Sequence, residues 1–357
     1  MRSTKPRTRT LARCIAMSLY LSLAAVPVYA GNNDGSVVGH TAPGAVVTVT
    51  NPATGFTRSV TADEKGNYRL PFLPIGDYKL QSTKDGAPVG QTIDVTVTLG
   101  NATTVNVGSE AESLETIQVT AAGSVISAVD VTSTEIATNV SREELARLPV
   151  DQTVASVVTL APGVNKGNAS FGGISFGGSS IAENSFYVNG LNVTDFYNRN
   201  GFSEAPFAFY QEFQVKTGGY SVEFGRSTGG VVNAVTRSGT NELKYGAELT
   251  VEPSEWQSRA RDRYRADGTR YIAASKDEDS LTKLNGYISG ALVQDRLFFF
   301  LMYEGRDSEP RNTNNDGTTY TANKSDDGFW GGKIDWHVND SNLFELTAFS
   351  DKDSNVG

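Results

Sequence analysis

Catalysis or metal binding needs nucleophiles, bases or ligands that converge, and this sequence offers few. Its two histidines are His40 and His337, and neither has a glutamate at the spacing from which a zinc site is built. Both read as ordinary surface residues. Cys14 is the sole cysteine, so no disulfide or thiol pair can form within the chain. The glycine-rich run Phe171-Gly172-Gly173-Ile174-Ser175-Phe176-Gly177-Gly178 lacks the Lys-Ser/Thr of a phosphate loop. Asp351-Lys352-Asp353-Ser354-Asn355 opens like a calcium loop, but Val356 stands where that loop needs glycine. The expectation is therefore no catalytic residue, no metal and no cofactor: the protein is not an enzyme.

What remains is the chemistry of the backbone. Leu114, Glu115, Thr116, Ile117, Gln118, Val119, Thr120 and Ala121 alternate apolar and polar residues inside a Ser/Thr/Ala/Val-rich stretch, 109–140, that otherwise reads as a linker. Such a segment can add as a strand to the sheet edge of a partner, with Ile117 and Val119 on one face. It can equally form a small strand within its own chain.

The elements around it set the context. The net charge is −9, and residues 1–30 hold five bases and no acid, which leaves −14 for the rest. That balance argues against a nucleic-acid partner, which would select basic patches. Residues 1–30 read as a secretory signal: a basic start, an apolar stretch from Ile15 to Val28, and Val28-Tyr29-Ala30 for cleavage before Gly31. The stretch is shorter than the roughly 20 residues of a spanning helix. The 36 glycines and 10% aromatic residues suit an all-β architecture.

Residues 31–108 alternate short strand patterns (45–50, 56–62, 68–70, 78–80, 92–98, 103–107) with turn signals, as a small β-sandwich does. They carry V-x-V-x-N-x-x-T-G at 47–55, D-x-x-G-x-Y at 63–68 and L-P-x-G-x-Y at 73–78. These motifs resemble the transthyretin-like, carboxypeptidase-regulatory-like domain. Residues 141–240 read as a second folded unit of α+β type. Ser141-Arg142-Glu143-Glu144 is a capping-box pattern. Asp151 is placed to cap a second helix, with Val154, Val157, Val158 and Ala161 on one face and Pro162 as its stop.

From 243 onward the period is two. Leu243, Tyr245, Ala247, Leu249 and Val251 alternate with Lys244, Gly246, Glu248, Thr250 and Glu252, and further strands are expected at 284–293, 297–304, 330–338 and from 343. The connections alternate too: 253–281 long, 294–296 short, 307–326 long, 339–342 short. A transmembrane barrel has this dyad pattern and this alternation of loops and turns; a soluble sandwich has no reason for it.

Taken together, the chain resembles the Oar-like group of TonB-dependent receptors. The plug-domain resemblance rests on Leu148-Pro149, Leu160-Ala161-Pro162-Gly163-Val164, Tyr187-Val188-Asn189-Gly190, the run from Gln214 to Arg226, and Gly229-Gly230-Val231-Val232-Asn233-Ala234-Val235-Thr236. Leu114–Ala121 resembles the TonB box, with Gln118 where an apolar residue is common. The resemblance implies an outer-membrane location, with the N-terminal sandwich and the box in the periplasm. It implies TonB, outer-membrane lipid and an extracellular ligand as partners, and uptake driven by force relayed through TonB. Glu223 and Arg226 resemble plug residues that pair with the barrel wall; they can also form a plug-internal or solvated pair. Phe171, Phe176, Phe196, Tyr197, Arg199 and Phe202 fall in expected apical loops, as ligand contacts or packing anchors. Residues 243–357 have room for five or six strands where a plugged transporter has about 22, so a fragment is expected. A secreted or surface-attached adhesion module is the alternative.

Overall fold

The computed structural model describes residues 33–108, 135–145, 147, 153–167, 173–195, 205–225, 227–258, 260–314, 318–321, 328–339 and 342–350. The expected signal (1–30) and Leu114–Ala121 lie outside them.

Seven strands form the sandwich: β1 (Asp34–His40), β2 (Val46–Thr50), β3 (Thr57–Thr61), β4 (Asn67–Pro74), β5 (Gly76–Lys84), β6 (Ala87–Val97) and β7 (Ala102–Thr104). One sheet has the order β4-β1-β7 and the other β3-β2-β5-β6. Alternate residues fill the space between them: Val37, Val47, Val49, Leu70, Leu73, Tyr78, Leu80 and Val97 are each at most 1% exposed. The motif tyrosines act as struts. Tyr68 donates to Val105 O at 2.6 Å and Tyr78 to Pro74 O at 2.7 Å. In the D-x-x-G turn, Asp63 accepts from the amides of Lys65 and Asn67. Gly66 has φ +83°, and a Cβ there would lie 2.1 Å from Thr41 O, so no other residue fits. Sequence reasoning omitted β1, whose Asp-Gly-Ser start and second glycine mask a strand buried at Val37.

The second unit is a five-stranded mixed sheet of order β12-β11-β14-β13-β8. Its strands are β8 (Ile136–Ser141), β11 (Ser185–Val188), β12 (Leu191–Asn192), β13 (Tyr210–Gly218) and β14 (Val231–Thr236), and the short pair β9 (Val164–Lys166) and β10 (Ile174–Phe176) stands beside them. The linker expected to run to residue 140 therefore gives way at Ile136 to an edge strand of this sheet. The capping box forms: Ser141 N donates to Glu144 Oε2 at 2.9 Å, and Glu144 N to Ser141 Oγ at 3.3 Å. The next helix, Val154–Val158, is capped by Thr153, whose hydroxyl accepts from Ser156 N at 3.2 Å. Thr153 replaces the expected Asp151 because it directly precedes the first helical residue, where a side-chain oxygen reaches the third amide.

The last five long strands are β15 (Lys244–Glu252), β18 (Leu281–Val293), β19 (Leu297–Ser308), β22 (Phe329–Asn339) and β23 (Asn342–Ser350), an antiparallel meander in that order. Short hairpins β16-β17 (Arg263–Tyr264, Arg270–Ile272) and β20-β21 (Arg311–Thr313, Thr319–Thr321) occupy the two long connections. One face of the meander exposes Tyr245, Leu249, Leu284, Leu301, Tyr303, Trp330, Trp336 and Leu346. The other buries Phe298, Phe300, Met302, Glu304, Lys333 and Asp335. Apolar outside and mixed inside is the pattern of a barrel wall whose lumen is filled. The sandwich meets this wall at its short-turn end.

The sandwich has its own core, so residues 33–108 expressed alone are expected to fold as a soluble domain. Leu80→Ala should cost that domain about 2–5 kcal/mol, read by urea unfolding; an unstructured 33–108 by circular dichroism would refute its independence.

Candidate functional site

Three surfaces converge on the plug sheet, and each was built from a different residue chemistry. The first faces the barrel wall. Phe209 is fully buried, with its ring 5.3 Å from Phe329, 6.0 Å from Phe349 and 6.1 Å from Phe300. A Cβ on Gly331 would lie 2.7 Å from that ring, so glycine lets the wall approach the plug. Polar contacts set the register around it. Asn189 donates to Thr347 at 2.7 Å, and Lys333 of the wall donates to Ser238 at 3.0 Å and pairs with Glu345 at 2.8 Å. The Arg237 guanidinium lies 3.9 Å from the Tyr287 ring centroid, a cation–π contact.

The second surface is where the chain enters the plug. Glu135 pairs with Lys216 at 2.6 Å and accepts from Ser221 N at 3.1 Å. Lys216 is only 1% exposed and also lies over the Phe224 ring at 4.6 Å. A buried ion pair of this kind holds the first residues of β8 against β13.

The third surface carries the sandwich. On β13, Phe213 and Val215 point into the core, so Glu212, Gln214 and Lys216 share the opposite face, and Asn139 of β8 stands beside Gln214. The sandwich turn between β6 and β7 covers this polar face with Leu99, which is fully buried. Leu99 N donates to Glu212 Oε1 at 2.9 Å. Leu99 O accepts from Gln214 Nε2 at 2.6 Å and from Asn139 Nδ2 at 2.7 Å. Asn139 Nδ2 also donates to Glu212 at 2.7 Å. Burial pushes the Glu212 carboxyl up to about 7, against the pull of those two hydrogen bonds and with help from Glu144 and Glu143. Burial also raises Asp34 to about 6, with Glu345 and Glu223 adding to it and Arg58 opposing.

The residues singled out from sequence distribute unevenly. Leu114–Ala121, Arg226, Phe171, Phe196, Tyr197, Arg199 and Phe202 lie outside the described residues. Glu223 is exposed in the short 3₁₀ turn Val222–Phe224. Phe176 is a correction: it is 3% exposed in the plug core, and a Cβ on Gly230 would meet its ring at 2.1 Å. Its position in a glycine-rich run disguised a packing anchor. His40 is exposed and bonds Lys65 O at 2.6 Å. His337 is not a plain surface residue: its ring stands edge-on between Phe56 at 5.2 Å and Phe298 at 5.3 Å. Among the described residues no three His, Cys, Asp or Glu side chains are grouped to hold a metal. Sequence reasoning missed Glu212, Gln214 and Asn139. For Glu212 and Gln214 the signal is the E-x-Q-x-K alternation at 212–216, which reads as a solvated face until a cover is found for it; Asn139 lies in the stretch that reads as linker.

Known proteins match this layout. Residues 34–109 match the carboxypeptidase regulatory-like domain, and residues 129–232 match the TonB-dependent receptor plug domain. With both domains in that order ahead of barrel strands, the chain belongs to the TonB-dependent receptors of the Oar-like group. The TonB-dependent transporter Oar of Myxococcus xanthus is 34% identical over 267 residues, 71% of this chain and 24% of that protein. The chain thus spans about a quarter of that relative's length. Among solved structures, the outer membrane transporter YddB from Escherichia coli is 19% identical, with 59% of this chain and 32% of that chain covered and a TM-score of 0.47. The siderophore receptor PirA from Acinetobacter baumannii is 20% identical, covering 60% and 31%, with a TM-score of 0.45.

Glu212 supplies a pH prediction. An acid raised from 4.5 to about 7 on folding is neutral in both states below 4.5 and carries its full burial penalty only above 7. Stability is therefore expected to fall as pH rises between those values, by at most about 3 kcal/mol; Asp34 acts in the same direction. Glu212→Gln should flatten the upper part of that profile, measured as thermal midpoint from pH 5 to 8. An unchanged slope in the variant would assign the effect elsewhere.

Proposed function

We propose that the protein is an outer-membrane receptor that binds an extracellular ligand and moves it across the membrane with energy relayed by TonB. The observation that carries this reading is the meander with an apolar outer row, Tyr245 to Leu346, and an inner face filled by a plug domain. In hydrocarbon the backbone of a strand can be satisfied only by pairing with its neighbours, which this wall supplies over strands of up to 13 residues. A soluble adhesion module leaves that exposed row of tyrosine, leucine and tryptophan without a purpose.

Orientation follows from the loops. Long connections face outward and short turns inward in such walls, and this supports a periplasmic position for the sandwich, which is bound at the short turns. Leu114–Ala121 then lies on the periplasmic side as the strand that TonB grips. Ligand is captured at the opposite end, and Phe171, Phe196, Tyr197, Arg199 and Phe202 are the candidate contacts that the sequence offers. Nothing in the site assigns chemistry on the ligand. Outer-membrane lipid is the partner of the apolar row, and export removes residues 1–30; mass spectrometry of the exported protein should find Gly31 at its N-terminus, and retention of 1–30 would reject that signal.

Ile117→Pro tests the coupling segment, because proline removes a backbone donor needed for strand addition and restricts the residue before it. In the full-length protein, capture of the purified periplasmic domain of TonB should fall at least roughly tenfold, the equivalent of one or two lost hydrogen bonds. Outer-membrane amounts and heat-modifiable migration should stay unchanged. Undiminished capture would reject Leu114–Ala121 as the segment that couples.

A further inference from the structure

The sandwich touches two bodies at once. Its Leu99 turn binds the plug face of Glu212, Gln214 and Asn139 described above. Its 51–56 loop binds the short-turn end of the wall: Asn241 N donates to Ala53 O at 2.8 Å, and a Cβ on Gly55 would lie 2.9 Å from Cβ of Asp295. Asp295 and Asn241 in turn hold each other, Asn241 Nδ2 to Asp295 Oδ1 at 2.7 Å and Asp295 N to Asn241 Oδ1 at 2.9 Å. Phe56 packs edge-on to His337 of the wall and, at 6.4 Å, to Tyr78 in the sandwich core. Leu99 and Phe56 thus belong to one domain with its own core, which bridges plug and wall.

We infer that the N-terminal sandwich is a clasp that fastens the plug to the barrel wall, and that its Leu99 joint must open before the plug can shift. This rests on the transport reading above. With the 51–56 loop seated on the wall, any displacement of β8 or β13 breaks the hydrogen bonds to Leu99. The joint has the composition of a contact made to be undone. Permanent interfaces are the more apolar and transient ones the more polar. This one sets Glu, Gln and Asn against a turn, leaves Gln214 Oε1 without a partner among the described residues, and confines a carboxyl whose ionisation burial opposes. Each of those groups gains from water on release. The coupling segment also lies in sequence between the two halves of the joint, after Gly108 of the sandwich and before Glu135 of the plug.

The test pulls on the plug without requiring TonB to recognise anything. The full-length protein is anchored by its barrel and tethered through Thr120→Cys, and the time for the plug to yield is recorded at constant force. Loss of the Leu99 joint should speed yielding roughly tenfold or more, as expected for removing several net hydrogen bonds. Leu99→Asp, which puts a carboxylate where a fully buried apolar side chain sits, should show this. Deletion of residues 33–108 should show the same and cannot be confounded by a misfolded sandwich. Equal yielding in wild type and both variants would overturn the clasp; acceleration by the deletion alone would overturn Leu99 as its joint. Because the tether replaces TonB, failure here leaves the Ile117→Pro result standing, and failure there leaves this one intact.

Discussion

Backbone polar groups that lose water must find partners, and in a bilayer no water compensates for a missing one. That constraint accounts for the wall strands of this chain. It makes the wall strands long and paired from Lys244↔Ser289 through Trp330↔Ser350, with register shifts at Ala291/Val293 and His337/Asn339 beside the short turns. It sends the apolar member of each dyad outward and leaves the inner face free to carry Asn285, Glu304, Lys333 and Asp335. An inner face of that kind needs a filling that can hydrogen-bond as well as pack, and the plug sheet provides both.

The division of labour between the contacts follows from their chemistry. Apolar contact is non-directional, so the Phe209 cluster fixes that plug and wall touch without fixing how. The directional contacts choose the alignment: Asn189 to Thr347, Lys333 between Ser238 and Glu345, Arg237 over Tyr287. The sandwich adds a third kind, bonds from side chains of β8 and β13 to the backbone of one turn. Backbone at Leu99 presents its donor and acceptor whatever its neighbours are, so the specificity lies on the plug side.

What the sequence disclosed, and what it hid, divides along periodicity. The wall was legible because a dyad of apolar and polar residues survives in the letters, and strands 243–252, 284–293 and 330–338 were placed within a few residues of where they stand. The sandwich was legible through its turns, since Asp63-x-x-Gly66 and Asn51-x-x-x-Gly55 need those residue types. Burial of polar side chains was not legible. Glu212, Gln214 and Lys216 have the alternation of a solvated face, and only the tertiary arrangement covers them. β1 was missed because its strand residues are framed by glycines, and β8 because it lies in a Ser/Thr-rich stretch that reads as linker. Phe176 was misplaced for the converse reason: glycines around an aromatic residue suggest an exposed loop, but Gly230 is there to let the ring in.

A plug held only by rings against a wall would have no defined point of release. Apolar surfaces resist separation over their whole area, since each patch exposed to water costs in proportion to its size. Hydrogen bonds to a buried polar face behave otherwise: the first water to reach Glu212 or Gln214 replaces a partner with an equivalent one, and the remaining bonds lose their shielding. Opening at such a joint is local and cooperative. Lys216 and Glu135 place a second polar contact at the end of β8 where the chain enters, so the edge strand is fastened by polar groups at both of its approaches and by apolar ones only on its inner side. On its polar face that strand is covered by the Leu99 turn, which Glu212, Gln214 and Asn139 hold.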